Sequence, residues 1–214
     1  MLREVLAWVA DNRQPLEAAA TRHLELSATA LAAAIVLALP LALALVHWQR
    51  LANVAISAVN VLRTIPSLAL LAAMLPLIGT GFLPSVIALT LYGLPAILIN
   101  SYTALREVDP DIIEAGLGQG MTGHQIIRRI RIPLALPVVF AGVRTAAVQI
   151  VSAATLAAFI GGGGLGELIT AGMGTLNIAQ LVLGGLAVAT LAMATELAFA
   201  GIEWSVRRST GAAA

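Results

Sequence analysis

Long apolar runs separated by short polar or glycine-rich segments set the rhythm of this chain. Each run approaches the length a helix needs to cross a hydrocarbon core, roughly 20 residues. Five spans fit: about Leu26 to Val46, about Ala55 to Ile78, about Leu83 to Ala104, about Leu136 to Ile160 and about Ile178 to Ile202. Arg63 and Pro66 interrupt the second, and Pro95 predicts a kink in the third, with Asn100 and Tyr102 beyond it. Ahead of the first span, Leu2, Val5, Leu6 and Val9 recur at helical spacing, which predicts a short amphipathic helix at the membrane interface. The expected fold class is therefore an all-α membrane protein with about five transmembrane helices. Residues 1–22 read as an external or interfacial segment, 23–204 as the membrane domain and 205–214 as a polar tail.

Composition narrows the function. The 214 residues are 59% hydrophobic and 11% charged, outside the soluble range. Met1 to Glu25 carries charges of both signs without a compact apolar stretch, unlike a cleavable signal peptide. Cysteine is absent, which removes disulfides, thiolate metal sites and a cysteine nucleophile. All 12 basic residues are arginine, so no lysine is present for a Walker A loop. His23, His47 and His124 show no metal-ligand spacing and read as surface or interfacial residues. No histidine falls inside a span to serve a serine such as Ser152 as a base, so an intramembrane hydrolase is disfavoured. A transport subunit without its own cofactor is the expectation.

Arginine placement gives an orientation. Arg50, Arg106, Arg128, Arg129, Arg131, Arg207 and Arg208 fall on one side of the five-span layout, whereas 79–82 and 161–177 contain none. The positive-inside rule then puts the C-terminus in the cytoplasm and the N-terminus outside. Trp48 and Trp204 land at the cytoplasmic interface, where indole rings are favoured.

The segment from about 106 to 135 is the most informative loop. Asp109-Pro110-Asp111 is a helix start, with an N-cap acceptor, proline at the first position and acid at the positive helix end. That helix should stop at Gly120. Thr122 to Gln125 has the form of a capping box that opens a second short helix, and Pro133 and Pro137 punctuate the start of the fourth span. Two short helices bent at a glycine would make a rigid cytoplasmic knuckle.

Within it, Glu114-Ala115-Gly116, then Gly120, then Ile130-Arg131-Ile132-Pro133 resemble the EAA loop of ABC-importer permeases. Gly116 and Ile132 depart from the usual alanine and leucine but keep their size class. Further stretches resemble osmoprotectant permeases: His23 to Ser27, Arg63 to Leu71, Gly142 to Ala146, and Ala154 to Gly166 with its glycine run. The resemblance implies the type I importer core, shared with methionine permeases, in a bacterial inner membrane. It also implies partners: a dimer of ATPase subunits carrying ATP and Mg, a second permease chain, identical or homologous, and an external substrate-binding protein. A nucleic-acid partner is not implied. Substrates in keeping with it are glycine betaine, carnitine and choline. Methionine, another amino acid or another trimethylammonium compound stays open. Aromatic residues are only 4% of the chain, thin material for a quaternary-ammonium cage, so selection is expected on the binding protein.

Coupling to the ATPase thus falls to Glu114, Ala115, Gly116, Gly120, Ile130, Ile132 and Pro133. Candidate passage or gate residues are Arg63, Pro66, Arg144, Gln149, Ser152 and Glu196. Thr145, Gln149 and Ser152 share one helix face, which suits either a passage lining or helix packing. The turn at Gly161 to Gly166 reads as the seat of an outer gate or as a tight turn into a re-entrant segment around Leu168 to Met173. Arg63, Arg144 and Glu196 occupy similar depths. Glu196 is expected to pair with Arg144 or Arg63 near the inner mouth, the alternative being separate snorkelling to headgroups.

Overall fold

The computed structural model describes residues 8–209, and among them no strand occurs. The helices are α1 (Arg13–Leu45), α2 (Gln49–Thr64), α3 (Ser67–Ile78), α4 (Phe82–Arg106), α5 (Pro110–Gly118) and α6 (Gly123–Ile126). A π-turn (Ile127–Arg131) joins α6 to α7 (Ile132–Ala154), which tightens into a 3-10 helix (Thr155–Ile160). The chain ends with α8 (Gly166–Gly174) and α9 (Ile178–Ser209). By length and composition α1, α4, the run from Gly123 to Ile160 and α9 can each cross a membrane. The pair α2–α3, bent by 97°, makes a fifth span if its two helices are counted as one broken crossing.

In a bilayer, apolar side chains gain little by leaving lipid, so helices pack through small residues that let backbones approach. On α1, Leu26, Ala30, Ala34, Ala38 and Ala42 recur every four residues and are fully buried. They form one stripe, packed chiefly on α4, and Thr90 donates across that seam to the Ala30 carbonyl at 3.3 Å. Between α4 and α7 the spacers are glycines. A Cβ on Gly142 would stand 2.8 Å from Asn100 Cβ and 3.0 Å from the Ala96 carbonyl oxygen, an atom that cannot swing aside. Gly142→Val should therefore cost at least the 1–3 kcal/mol typical of overpacking, about, and lower the unfolding temperature in detergent well below that of Gly142→Ala.

Several sequence expectations are corrected. The second span is broken at Pro66 as expected, but its halves do not stay in line: Pro66 forces Ile65 into an extended conformation (φ −76°, ψ 125°), and the chain turns by 97° there. The boundary expected after residue 22 falls inside α1, which begins at Arg13 and buries Ala19 and His23. Of the amphipathic stretch at the N-terminus, Leu2, Val5 and Leu6 lie outside the described residues. The second loop helix is not separate either, since α6 runs through the π-turn into α7. There the Ile132 N–H reaches back five residues to the Ile127 carbonyl, a widened turn that makes room for the Pro133 ring. Pro133 and Pro137 thus leave the helix continuous, as does Pro95 in α4.

Candidate functional site

The loop before α7 is built from local signals. Asp109 Oδ1 accepts the Asp111 N–H at 2.9 Å and caps α5, with Pro110 at its first position. At the other end the Met121 N–H bonds to the Gly116 carbonyl (3.1 Å) and the Gly120 N–H to the Leu117 carbonyl (2.9 Å). These are the two bonds of a Schellman cap, and Gly120 adopts the positive φ of +80° that such a cap needs. Thr122 and Gln125 then cap each other reciprocally, opening α6.

The seven loop residues divide by direction. Glu114 and Ala115 are exposed, with Ile112 and Leu117 presenting apolar surface on the same short helix. Gly116 is buried: a Cβ there would lie 2.7 Å from Ile126 Cδ1 and 2.8 Å from Ile130 Cδ1. Glycine rather than alanine at this place lets α5 rest on those two isoleucines. Both are mobile tips, so Gly116→Ala needs only small shifts. Ile130, Ile132 and Pro133 are half-buried at the root of α7. Arg131 Nη1 donates to the Leu105 carbonyl at 3.0 Å, satisfying a helix-end acceptor of α4 and fixing the knuckle to the bundle.

Charge inside the bundle collects on Arg144. Its Nε donates to Glu196 Oε1 at 2.9 Å, its Nη2 contacts the same oxygen, and its Nη1 donates to Glu203 Oε2 at 3.0 Å. Glu196 and Glu203 stand seven residues, two turns, apart and so share a face of α9. The pairing expected for Glu196 is made with Arg144. Arg63, exposed in the last turn of α2, stands outside the cluster. Glu203 was missed, although its spacing from Glu196 was a readable signal. The guanidinium points toward α9, about 100° around the helix from Thr145. The cluster therefore clips α7 to α9 and does not sit among the Thr145, Gln149 and Ser152 face.

That face is largely uncovered, with Thr145 and Ser152 exposed and Gln149 half-buried. Gln149 and Ser152 contribute to an open depression of about 470 Å³ whose other walls include Ser67, Tyr92 and Thr155. Ser67 reaches it because the bend at Pro66 swings α3 across the bundle. Asn100, by contrast, turns its amide onto the Ala96 carbonyl (2.7 Å), a contact within its own helix.

At the opposite end from the knuckle, a histidine holds three segments together. His23 is fully buried, which corrects the surface reading. The Leu165 N–H donates to Nδ1 (3.3 Å), so Nε2 carries the proton and donates to the Val151 carbonyl (2.9 Å). The Val151 carbonyl needs such a donor because α7 tightens there and the Thr155 N–H bonds instead to Ser152. Arg22 adds a bond to the Gly162 carbonyl (3.2 Å) and lies over the Phe82 ring, 4.2 Å from its centre. The glycine run is thus a packed turn, with Gly161, Gly163 and Gly164 at positive φ. His23→Leu leaves a buried N–H and a buried carbonyl without partners and should cost about 2–3 kcal/mol, read as a lower unfolding temperature of the purified chain.

Residues 30–207 match the family model described as "Binding-protein-dependent transport system inner membrane component". The chain is 37% identical over 205 residues to the glycine betaine/carnitine/choline transport system permease protein OpuCB of Bacillus subtilis (strain 168), covering 96% of this chain and 94% of that one. It is 39% identical to the carnitine transport permease protein OpuCB of Listeria monocytogenes, over 94% of this chain and 92% of the relative. Among solved structures, a chain of the MetNI methionine ABC transporter in an inward-facing conformation superposes with a TM-score of 0.80 at 24% identity, covering 89% of this chain and 95% of that one. That likeness carries the fold, the type I importer permease core.

Proposed function

The chain belongs to the binding-protein-dependent transport system inner membrane components, and on that premise we propose that it imports a quaternary-ammonium osmoprotectant: glycine betaine, carnitine or choline. The observation that carries the substrate class is the likeness, along nearly the whole chain, to permeases named for those three compounds. The chain is a multi-pass inner-membrane transport subunit. In this reading the energy comes from a dimer of separate ATPase subunits that bind ATP and Mg. The exposed face of α5, with Glu114 between Ile112 and Leu117, fits a groove on such a partner, and the Schellman and capping-box bonds make it stiff enough to pass on a stroke. Pro133 and the π-turn make that stiffness continuous with α7.

A second permease chain, identical or homologous, completes the passage across the open face of α7, where Gln149 and Ser152 lie. An external binding protein selects the substrate and delivers it to the end that carries His23 and the glycine turn. The arginine-rich side, with α5 and the C-terminus, faces the cytoplasm, and the N-terminus lies outside. The test is uptake of labelled glycine betaine, carnitine and choline by cells with and without the gene, under osmotic stress. Gene-dependent uptake of at least one is expected. Gene-dependent uptake of methionine or another amino acid, with none of the three, would replace the substrate assignment.

A further inference from the structure

The depression between α3, α4 and α7 has a chemistry that the family likeness does not specify. Its volume, about 470 Å³, lies within the range of small-molecule sites, about 300–1,000 Å³. The lining mixes hydroxyls and an amide (Ser67, Gln149, Ser152, Thr155) with one aromatic side chain, Tyr92, and contains no acid or base. Thr155 Oγ1 is buried beneath this wall and has no hydrogen-bond partner among the described residues.

We propose that this depression is a low-affinity seat for a trimethylammonium head in transit, with Tyr92 as the residue that recognises it. The inference rests on the substrate class proposed above and adds the place where that substrate pauses. A quaternary ammonium has no N–H and cannot be held by hydrogen bonds to its charge. It is held by π-electrons and by the negative ends of hydroxyl and amide dipoles. A full aromatic cage binds such a group tightly. One ring among neutral dipoles binds it weakly, which is what a passage requires, because an occupant must leave as easily as it enters. An acid in the wall would trap the cation, and none is there. The other end of the substrate is met by donors: the Gln149 amide and the Ser67 and Ser152 hydroxyls suit either the carboxylate of betaine or the hydroxyl of choline.

The absence of cysteine makes the test direct. Ser152→Cys and, separately, Gln149→Cys are introduced into the chain assembled with its ATPase and reconstituted in nanodiscs. Each is reacted with a water-soluble methanethiosulfonate that itself carries a trimethylammonium group. Glycine betaine and choline at high millimolar concentration should slow labelling about two- to fivefold, while glycine, which lacks the methyl groups, should not. Thr175→Cys, exposed beyond α8, should be labelled at the same rate throughout. Adding Tyr92→Leu to either cysteine variant should abolish the protection. Unprotected labelling at both positions, protection by glycine equal to that by betaine, protection that survives Tyr92→Leu, or no labelling at either position would each overturn the seat. Wild-type uptake measured in parallel separates the two readings. A seat that fails while betaine is imported leaves the proposed function standing, and a complex that imports no trimethylammonium compound refutes both.

Discussion

Gly120→Val is expected to abolish uptake in cells that still insert the chain at wild-type abundance. The reason lies in the backbone. Gly120 sits at φ +80° with no atom within 4 Å of the place a Cβ would take, so substitution meets no clash. What it meets is the left-handed conformation itself, which costs a residue with a Cβ about 1–2 kcal/mol and a β-branched residue more. The cheapest escape is to break the two Schellman bonds and let α5 swing relative to α6, and a coupling helix that swings transmits nothing. Gly120→Ala should keep part of the uptake. Glu114→Ala, on an exposed site, should lose uptake with no change in unfolding temperature, because the work proposed for it is on a partner's surface. The readouts are uptake, membrane abundance by immunoblot and co-purification of the ATPase subunit. Full uptake by both Gly120→Val and Glu114→Ala at normal abundance would remove the coupling role from this loop.

Arg144→Gln is the second substitution with a large expected effect, since it removes the guanidinium that Glu196 and Glu203, two turns apart on one face of α9, share. Repulsion between two carboxylates, both within the span, should push α9 off α7 and lower the unfolding temperature by several degrees. Glu196→Gln alone should do less, because Glu203 remains to hold the arginine. Combining Arg144→Gln with Glu196→Gln and Glu203→Gln should recover part of the loss, as removing one member of a paired set harms more than removing all of it. Double-mutant cycles on unfolding temperature and uptake report the coupling. Strict additivity in the cycles of Arg144 with both glutamates would show that the contacts contribute nothing. Uptake lost in step with stability would mark the cluster as a clip, whereas uptake lost at full stability would mark it as a moving part.

The parts legible in the sequence are those that local chemistry decides. Asp109-Pro110, Thr122 with Gln125, and Gly120 each act within a few residues, so the caps and the bend of the knuckle follow from the letters alone. The five-span layout was legible because apolar length is a one-dimensional property. The direction of the chain after Pro66 was not. A proline forbids the preceding residue its helical conformation, but whether the next helix continues or turns by 97° depends on what α3 packs against. His23 was misread for a related reason. In a stretch with Arg22 and Glu25 it looked like surface, and only the return of Val151 and Leu165, more than a hundred residues later, makes it core. That Gln149 and Ser152 share a face was legible from their helical spacing, and both line the same depression. Tyr92 and Ser67 belong to other elements, and nothing in spacing along the chain could place them beside that pair.

The clip on Arg144 also bears on how the protein is made. Its two carboxylates lie 52 and 59 residues further along the chain. At about 5–20 residues per second, synthesis delivers them roughly 3–12 s after the arginine. During that interval the fourth span carries a positive charge whose partners do not yet exist, so it can be held only by headgroups, water or the insertion machinery. A nascent chain that stalls before Glu196 keeps that charge unmatched indefinitely. The ion cluster thus doubles as a completion mark: only a fifth span that has emerged past Glu196 and Glu203 supplies the carboxylates that meet Arg144.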